Sequence, residues 1–141
     1  MRAQLLTAVL ACSVLRSCGA PEEPRANVEQ AWVRLPAVQG RPGAAYFTLR
    51  TNNDPTKLVA VTSTRVERIE LHQSMTGHSG GMEPTGDLTF DDSLEFAPGS
   101  RHAMLFGIDP ALRPGDRIPL TFTFEPLPPV AVEAEVRGPG G

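Results

Sequence analysis

Residues 117–125 carry the most regular pattern in the chain: Ile118, Leu120, Phe122 and Phe124 are interleaved with Arg117, Pro119, Thr121, Thr123 and Glu125. A period of two sends alternate side chains to opposite faces, so this text describes a strand with one buried and one wet face. The pattern recurs at once, with Val130, Val132, Ala134 and Val136 set against Glu133, Glu135 and Arg137. Half-wet strands belong to antiparallel sheets, whose apolar faces need a second layer to cover them.

From Val28 onward the chain is a series of such short runs. Strands are predicted at 28–34, 44–50, 57–61, 65–73, 88–90, 101–108, 117–125 and 130–137. The text between them supplies turns with a mechanism: Asn52-Asn53-Asp54-Pro55, Pro98-Gly99 and Arg113-Pro114-Gly115-Asp116 combine a fixed φ with a residue that accepts positive φ. The 13 Gly and 14 Pro suit tight turns better than helices. Together these features predict an all-β fold, an antiparallel Greek-key β-sandwich. Trp32 and Tyr46 fall inside predicted strands and read as core anchors rather than as stacking platforms for a substrate.

Ahead of the domain, Arg2 and the apolar run Leu5 to Leu15 have the form of a secretory signal. The run is too short to cross a bilayer, which takes roughly 20 apolar residues. Leu15-Arg16-Ser17-Cys18-Gly19 resembles a bacterial lipobox, with Arg16 where a small uncharged residue is usual. A cut after Ala20 would leave Pro21 behind the scissile bond, so lipidation of Cys18 is the expected outcome. The predicted organisation is a signal peptide over 1–18, a flexible Pro/Glu/Ala-rich tether over 19–27, the β-domain over 28–137 and a disordered tail over 138–141. That organisation implies an exported protein, periplasmic or anchored by lipid to the outer face of the cell membrane, with no other membrane contact.

Both cysteines, Cys12 and Cys18, lie in the leader. The domain therefore has no disulfide, no cysteine nucleophile and no thiolate ligand, which excludes zinc ribbons and thioredoxin-like motifs. A net charge of −3 gives no footprint for nucleic acid. No nucleophile paired with a base stands out, and an enzyme is not expected.

All three histidines, and every methionine but Met1, lie between Leu71 and Met104: His72, Met75, His78, Met82, His102 and Met104. In the predicted strand 101–108, His102 and Met104 share a face. His72 ends another strand and runs into the polar, Gly-rich segment that carries Met75, His78 and Met82. Thioether sulfur is soft and imidazole borderline, a neutral donor set that selects Cu(I) over zinc, magnesium or calcium. A blue-copper centre is disfavoured because its core needs a cysteine.

Ala31-Trp32-Val33-Arg34, Ala44-Ala45-Tyr46-Phe47-Thr48-Leu49-Arg50, Glu70-Leu71-His72, Met82-Glu83-Pro84, His102-Ala103-Met104-Leu105-Phe106-Gly107 and Pro119 to Glu125 resemble the PCuAC family of periplasmic copper chaperones over about Val28 to Val136. The resemblance implies a cupredoxin-like sandwich that holds one Cu(I) at His72, Met82, His102 and Met104. Nine residues separate His72 from Met82 and nineteen separate Met82 from His102, both gaps slightly shorter than in the family, which leaves Met75 as a rival third ligand and His78 as an extra donor. It further implies delivery of copper to an acceptor, the CuA domain of cytochrome c oxidase or a Sco-type protein; separately, no residue pattern argues for a dimer, and a monomer is expected. Two other readings stay open: a copper-resistance or storage protein with the same site, and a secreted β-sandwich interaction module without metal.

Overall fold

The computed structural model describes residues 19–74 and 81–141, with the side chains of Met82 and Glu83 outside that description. The predicted leader, Cys18 and the loop residues Met75 and His78 also lie outside it. The described residues form ten strands and no helix: β1 (Ala26–Arg34), β2 (Gly43–Thr51), β3 (Thr56–Thr62), β4 (Val66–Ser74), β5 (Met82–Pro84), β6 (Leu88–Phe90), β7 (Ser93–Phe96), β8 (His102–Ile108), β9 (Arg117–Glu125) and β10 (Val130–Arg137). Each predicted strand is present, and β5 and β7 are short additions that the sequence pattern missed. β1 starts at Ala26, inside the segment expected to be tether, because Ala26 pairs with Thr51 and is itself buried.

Hydrogen bonding runs in the order β5-β4-β8-β2-β1-β10-β9-β3-β6, with β7 beside the second half of β2. Most neighbours are far apart in sequence, as Greek-key connections require. All pairs are antiparallel except β1 with β10, which run parallel through Trp32↔Glu135 to Arg34↔Arg137. The sheet curls so that β2 faces β9: Phe47 stacks on Phe96 at 4.4 Å between ring centroids and meets Phe122 edge-on at 4.8 Å. Leu49, Leu58, Leu105, Ile118 and Leu120 complete this solvent-free centre. The alternating residues of β9 are inside as their period demands, with Ile118, Leu120, Phe122 and Phe124 all buried.

Gly43 lets β2 enter between its neighbours, since a Cβ there would lie 2.7 Å from the Arg34 carbonyl oxygen and 2.6 Å from Ile108 Cδ1. A second device acts on β1. Gln30 has φ 52°, and the register steps from Glu29↔Thr48 to Trp32↔Tyr46, one extra residue on β1. This β-bulge reverses the inside–outside parity of the strand. Val28 packs inward before it and Ala31 and Val33 after it, so Trp32 and Arg34 go to the outer face.

Trp32 and Tyr46 are therefore not the core anchors that strand propensity suggested. They stack on each other at 4.6 Å outside the core cluster, with Arg137 over Trp32 and Arg34 over Tyr46 at 4.5 and 5.3 Å from the ring centroids. Trp32 is half-buried, while Tyr46 is covered and accepts a 2.7 Å hydrogen bond from Arg34 Nη2 at its hydroxyl.

The core is expected to rest on Phe47. Phe47→Ala should lose about 3–5 kcal/mol of unfolding free energy in chemical denaturation, whereas Val38→Ala, at a position 63% exposed, should stay within about 0.5 kcal/mol of wild type.

Candidate metal centre

β4 and β8 build the site. Their inward residues pair as Ile69↔Leu105 and Leu71↔Ala103, and this apolar contact fixes the register of the outward residues between them. Arg68↔Phe106, Glu70↔Met104 and His72↔His102 follow as consecutive rungs on the other face. The two histidines thus stand directly opposite each other, with ring planes 20° apart and centroids at 5.7 Å. Both are buried, at 7% and 6% exposure, an unusual state for histidine on an outer sheet face.

The histidines differ in their partners. His72 Nε2 lies 3.2 Å from Glu70 Oε2, and its Nδ1 is buried with no hydrogen-bond partner among the described residues. Glu70 Oε1 in turn meets Arg68 Nε at 2.8 Å. Burial pushes the His102 pKa below the usual imidazole value; a hydrogen bond with the Ser100 backbone opposes this, and the charges of His72 and Arg34 add to it. A neutral imidazole keeps a lone pair free for a metal.

Met104 is half-buried and borders a cavity of about 530 Å³ that also reaches His102, Tyr46 and Ser74. Its other wall is the loop after β1, including Val38, Arg41 and Arg34. Ala44, opposite Met104 on β2, is small enough to leave this space open. Among the described residues the wall contains two arginines and no carboxylate, although the whole chain is acidic.

Of the residues singled out in the sequence, His72, His102 and Met104 come together on two adjacent strands. The backbone of β5 sets Met82 opposite Ser74, two residues along β4 from His72. Glu70 was missed as a member of the constellation. Its signal was available, since Glu70 and His72 are two apart in a strand and must share a face. Among the described residues no three His, Cys, Asp or Glu side chains converge as a metal site. Two imidazoles with thioethers are a set of another kind.

A family model described as “Putative lipoprotein LpqE-like” matches residues 26–136. The chain belongs to the LpqE-like family. The protein RP573 of Rickettsia prowazekii is 34% identical over 113 residues, covering 74% of this chain, and the chain spans 62% of that relative's length. In solved structures, the copper-bound PCuAC domain from PmoF2 has the same fold, with a TM-score of 0.68 at 21% identity over 81% of this chain and 93% of that one. The Cu(I) form of DR1885 from Deinococcus radiodurans aligns with a TM-score of 0.59 at 26% identity, over 81% of this chain and 76% of that one. The fold is thus the cupredoxin-like β-sandwich that the sequence resemblance implied.

The lowered pKa of His102 has a measurable consequence in the metal-free protein. Its folded pKa lies below the unfolded value of 6.5, so the unfolded chain takes up the proton first as pH falls. The stability linked to keeping His102 neutral should be fully present above pH 6.5 and decline as pH drops towards the folded pKa. An NMR titration of its imidazole carbons should place the midpoint below 6.5.

Proposed function

We propose that this protein is an extracytoplasmic copper chaperone that holds one Cu(I) between His72, His102, Met104 and Met82 and hands it to an acceptor. The observation that carries this reading is the buried, in-register pair His72 and His102 beside Met104 at the mouth of a cavity. Two imidazoles and thioether sulfur match the softness and single charge of Cu(I). Two structural relatives, a copper-bound PCuAC domain and a Cu(I) form of DR1885, support the same metal. Met82 is preferred to Met75 as third ligand because β5 brings its backbone alongside the end of β4. His78 is an accessory donor.

The role is binding and transfer rather than catalysis. Met104 shares β8 with His102 but is less covered than either histidine, so an acceptor can displace the thioether first. Neutral thioethers also hold Cu(I) outside the cytoplasm without forming disulfides. The acceptor on this reading is the CuA domain of cytochrome c oxidase or a Sco-type protein. Lipidation of Cys18 would tether the protein, as a monomer, at the outer face of the membrane, in accord with the lipoprotein description of the family model.

Anaerobic Cu(I) titration against a chromogenic competitor tests the site, in full chains carrying Cys12→Ser and Cys18→Ser so that leader thiols do not compete. One equivalent should bind, and His72→Ala, His102→Ala or Met104→Ala should each weaken it at least tenfold, about 1.4 kcal/mol or more. Met82→Ala should do the same and Met75→Ala should not. Cu(I) at a hundred times its Kd should stabilise the fold by about 2.7 kcal/mol. No competition by the parent chain would remove the copper reading, and no transfer to a CuA domain would remove delivery but leave storage.

A further inference from the structure

Resting on that copper reading and deepening it, we propose that Glu70 is a positioning residue: its carboxylate holds His72 in the tautomer protonated at Nε2, so that Nδ1 is the nitrogen offered to Cu(I). An ionised carboxylate has only acceptor sites. At 3.2 Å from Glu70 Oε2, His72 Nε2 is therefore the donor of the pair. A neutral imidazole carries one proton, so Nδ1 bears the lone pair.

That Nδ1 is buried and has no hydrogen-bond partner among the described residues. Buried polar atoms are nearly always satisfied, and one left over calls for an ion or a functional role. On the proposed reading, a soft metal ion held by His72 together with His102 and Met104 would supply the missing partner. Metal-binding histidines commonly donate their second nitrogen to a carboxylate in this manner, which fixes the ring and raises its basicity.

Glu70 is itself held in place. Arg68 Nε meets its other oxygen at 2.8 Å, and the Arg68 guanidinium lies over the Phe106 ring at 4.3 Å. Arg68, Glu70 and His72 occupy alternate positions of β4, opposite Phe106, Met104 and His102 of β8. Arg68 thus orients the carboxylate, the carboxylate orients the imidazole, and the sheet spaces all three. With one oxygen on Arg68 and the other on His72, and with hard oxygen donors ill-suited to Cu(I), Glu70 acts through His72 rather than as a ligand.

The experiment uses the full chain with Cys12→Ser and Cys18→Ser, labelled with ¹⁵N in histidine, beside its Glu70→Gln and Glu70→Ala variants. Long-range ¹H–¹⁵N spectra of the metal-free proteins read the His72 tautomer directly, and a Cu(I) titration reads affinity. The parent chain should show Nε2–H at His72 and a Cu(I)-induced shift at Nδ1. Glu70→Gln, whose amide oxygen still accepts, should keep the tautomer and stay close to parent affinity. Glu70→Ala should mix the tautomers and bind Cu(I) 10–100-fold more weakly. An Nδ1–H tautomer in the metal-free parent, a Cu(I)-induced shift at Nε2, or unchanged affinity in Glu70→Ala would overturn the proposal. If the parent bound no Cu(I), the proposed function and the ligating role of Nδ1 would fall together. The metal-free tautomer would still decide whether Glu70 positions the ring.

Discussion

Everything at the candidate centre depends on the pairing of β4 with β8. Leu71 lies against Ala103 and Ile69 against Leu105 on the inner face, and these contacts admit one register. A slip by one residue would carry His72 and Glu70 into the core and Leu71 into the open, exchanging apolar for ionisable groups on the buried side. The hydrophobic core thereby sets the distance between His72 and His102, although neither belongs to it. Phe47, Phe96 and Phe122 perform the wider part of the same task by holding β2 and β9 face to face, which keeps β8 in place beside β2.

The outer face of this sheet is as organised as the inner one. Arg34, Ala44, Met104 and Glu70 form a continuous row across β1, β2, β8 and β4. The row passes from a cation, over a gap made by a small residue, to a soft ligand and then to a carboxylate. The bulge at Gln30 is what brings Arg34 and Trp32 to this side. Without it Val28, Gln30, Trp32 and Arg34 would share one face, and the aromatic pair would compete for core volume.

That bulge also explains what could be read in the sequence and what could not. Strands with an unbroken period of two, such as β9 and β10, were legible to the residue or nearly so, because their burial follows their sequence. Trp32 was misplaced because a parity switch leaves no mark on composition, and Gln30 is not a residue that announces positive φ. His102 and Met104 were legible as a same-face pair from their spacing alone. Their meeting with His72 was implied by the family resemblance and not by spacing, since register between strands thirty residues apart is fixed by packing on the far face. Glu70 lay in plain view two residues from His72, but its tie to Arg68 and to the ring emerges only once the strands are in place.

The electrostatic setting bears on how such a site would release its metal. On the proposed reading the ligands are neutral, so Cu(I) brings a full positive charge into a region flanked by Arg34 and Arg41 and covered from water at His72 and His102. Glu70 is the one carboxylate in the row, and it already faces Arg68. The affinity must then come from covalent softness and preorganised geometry rather than from charge neutralisation. A bound cation held without a counter-charge is destabilised by its surroundings, which favours departure to an acceptor that offers a thiolate. The same arginines would draw an acidic acceptor to the cavity side, where Met104 is less covered than the two histidines. On the proposed reading, two buried imidazoles beside a half-buried thioether next to Arg34 and Arg41 would keep copper covered and release it from the cavity side.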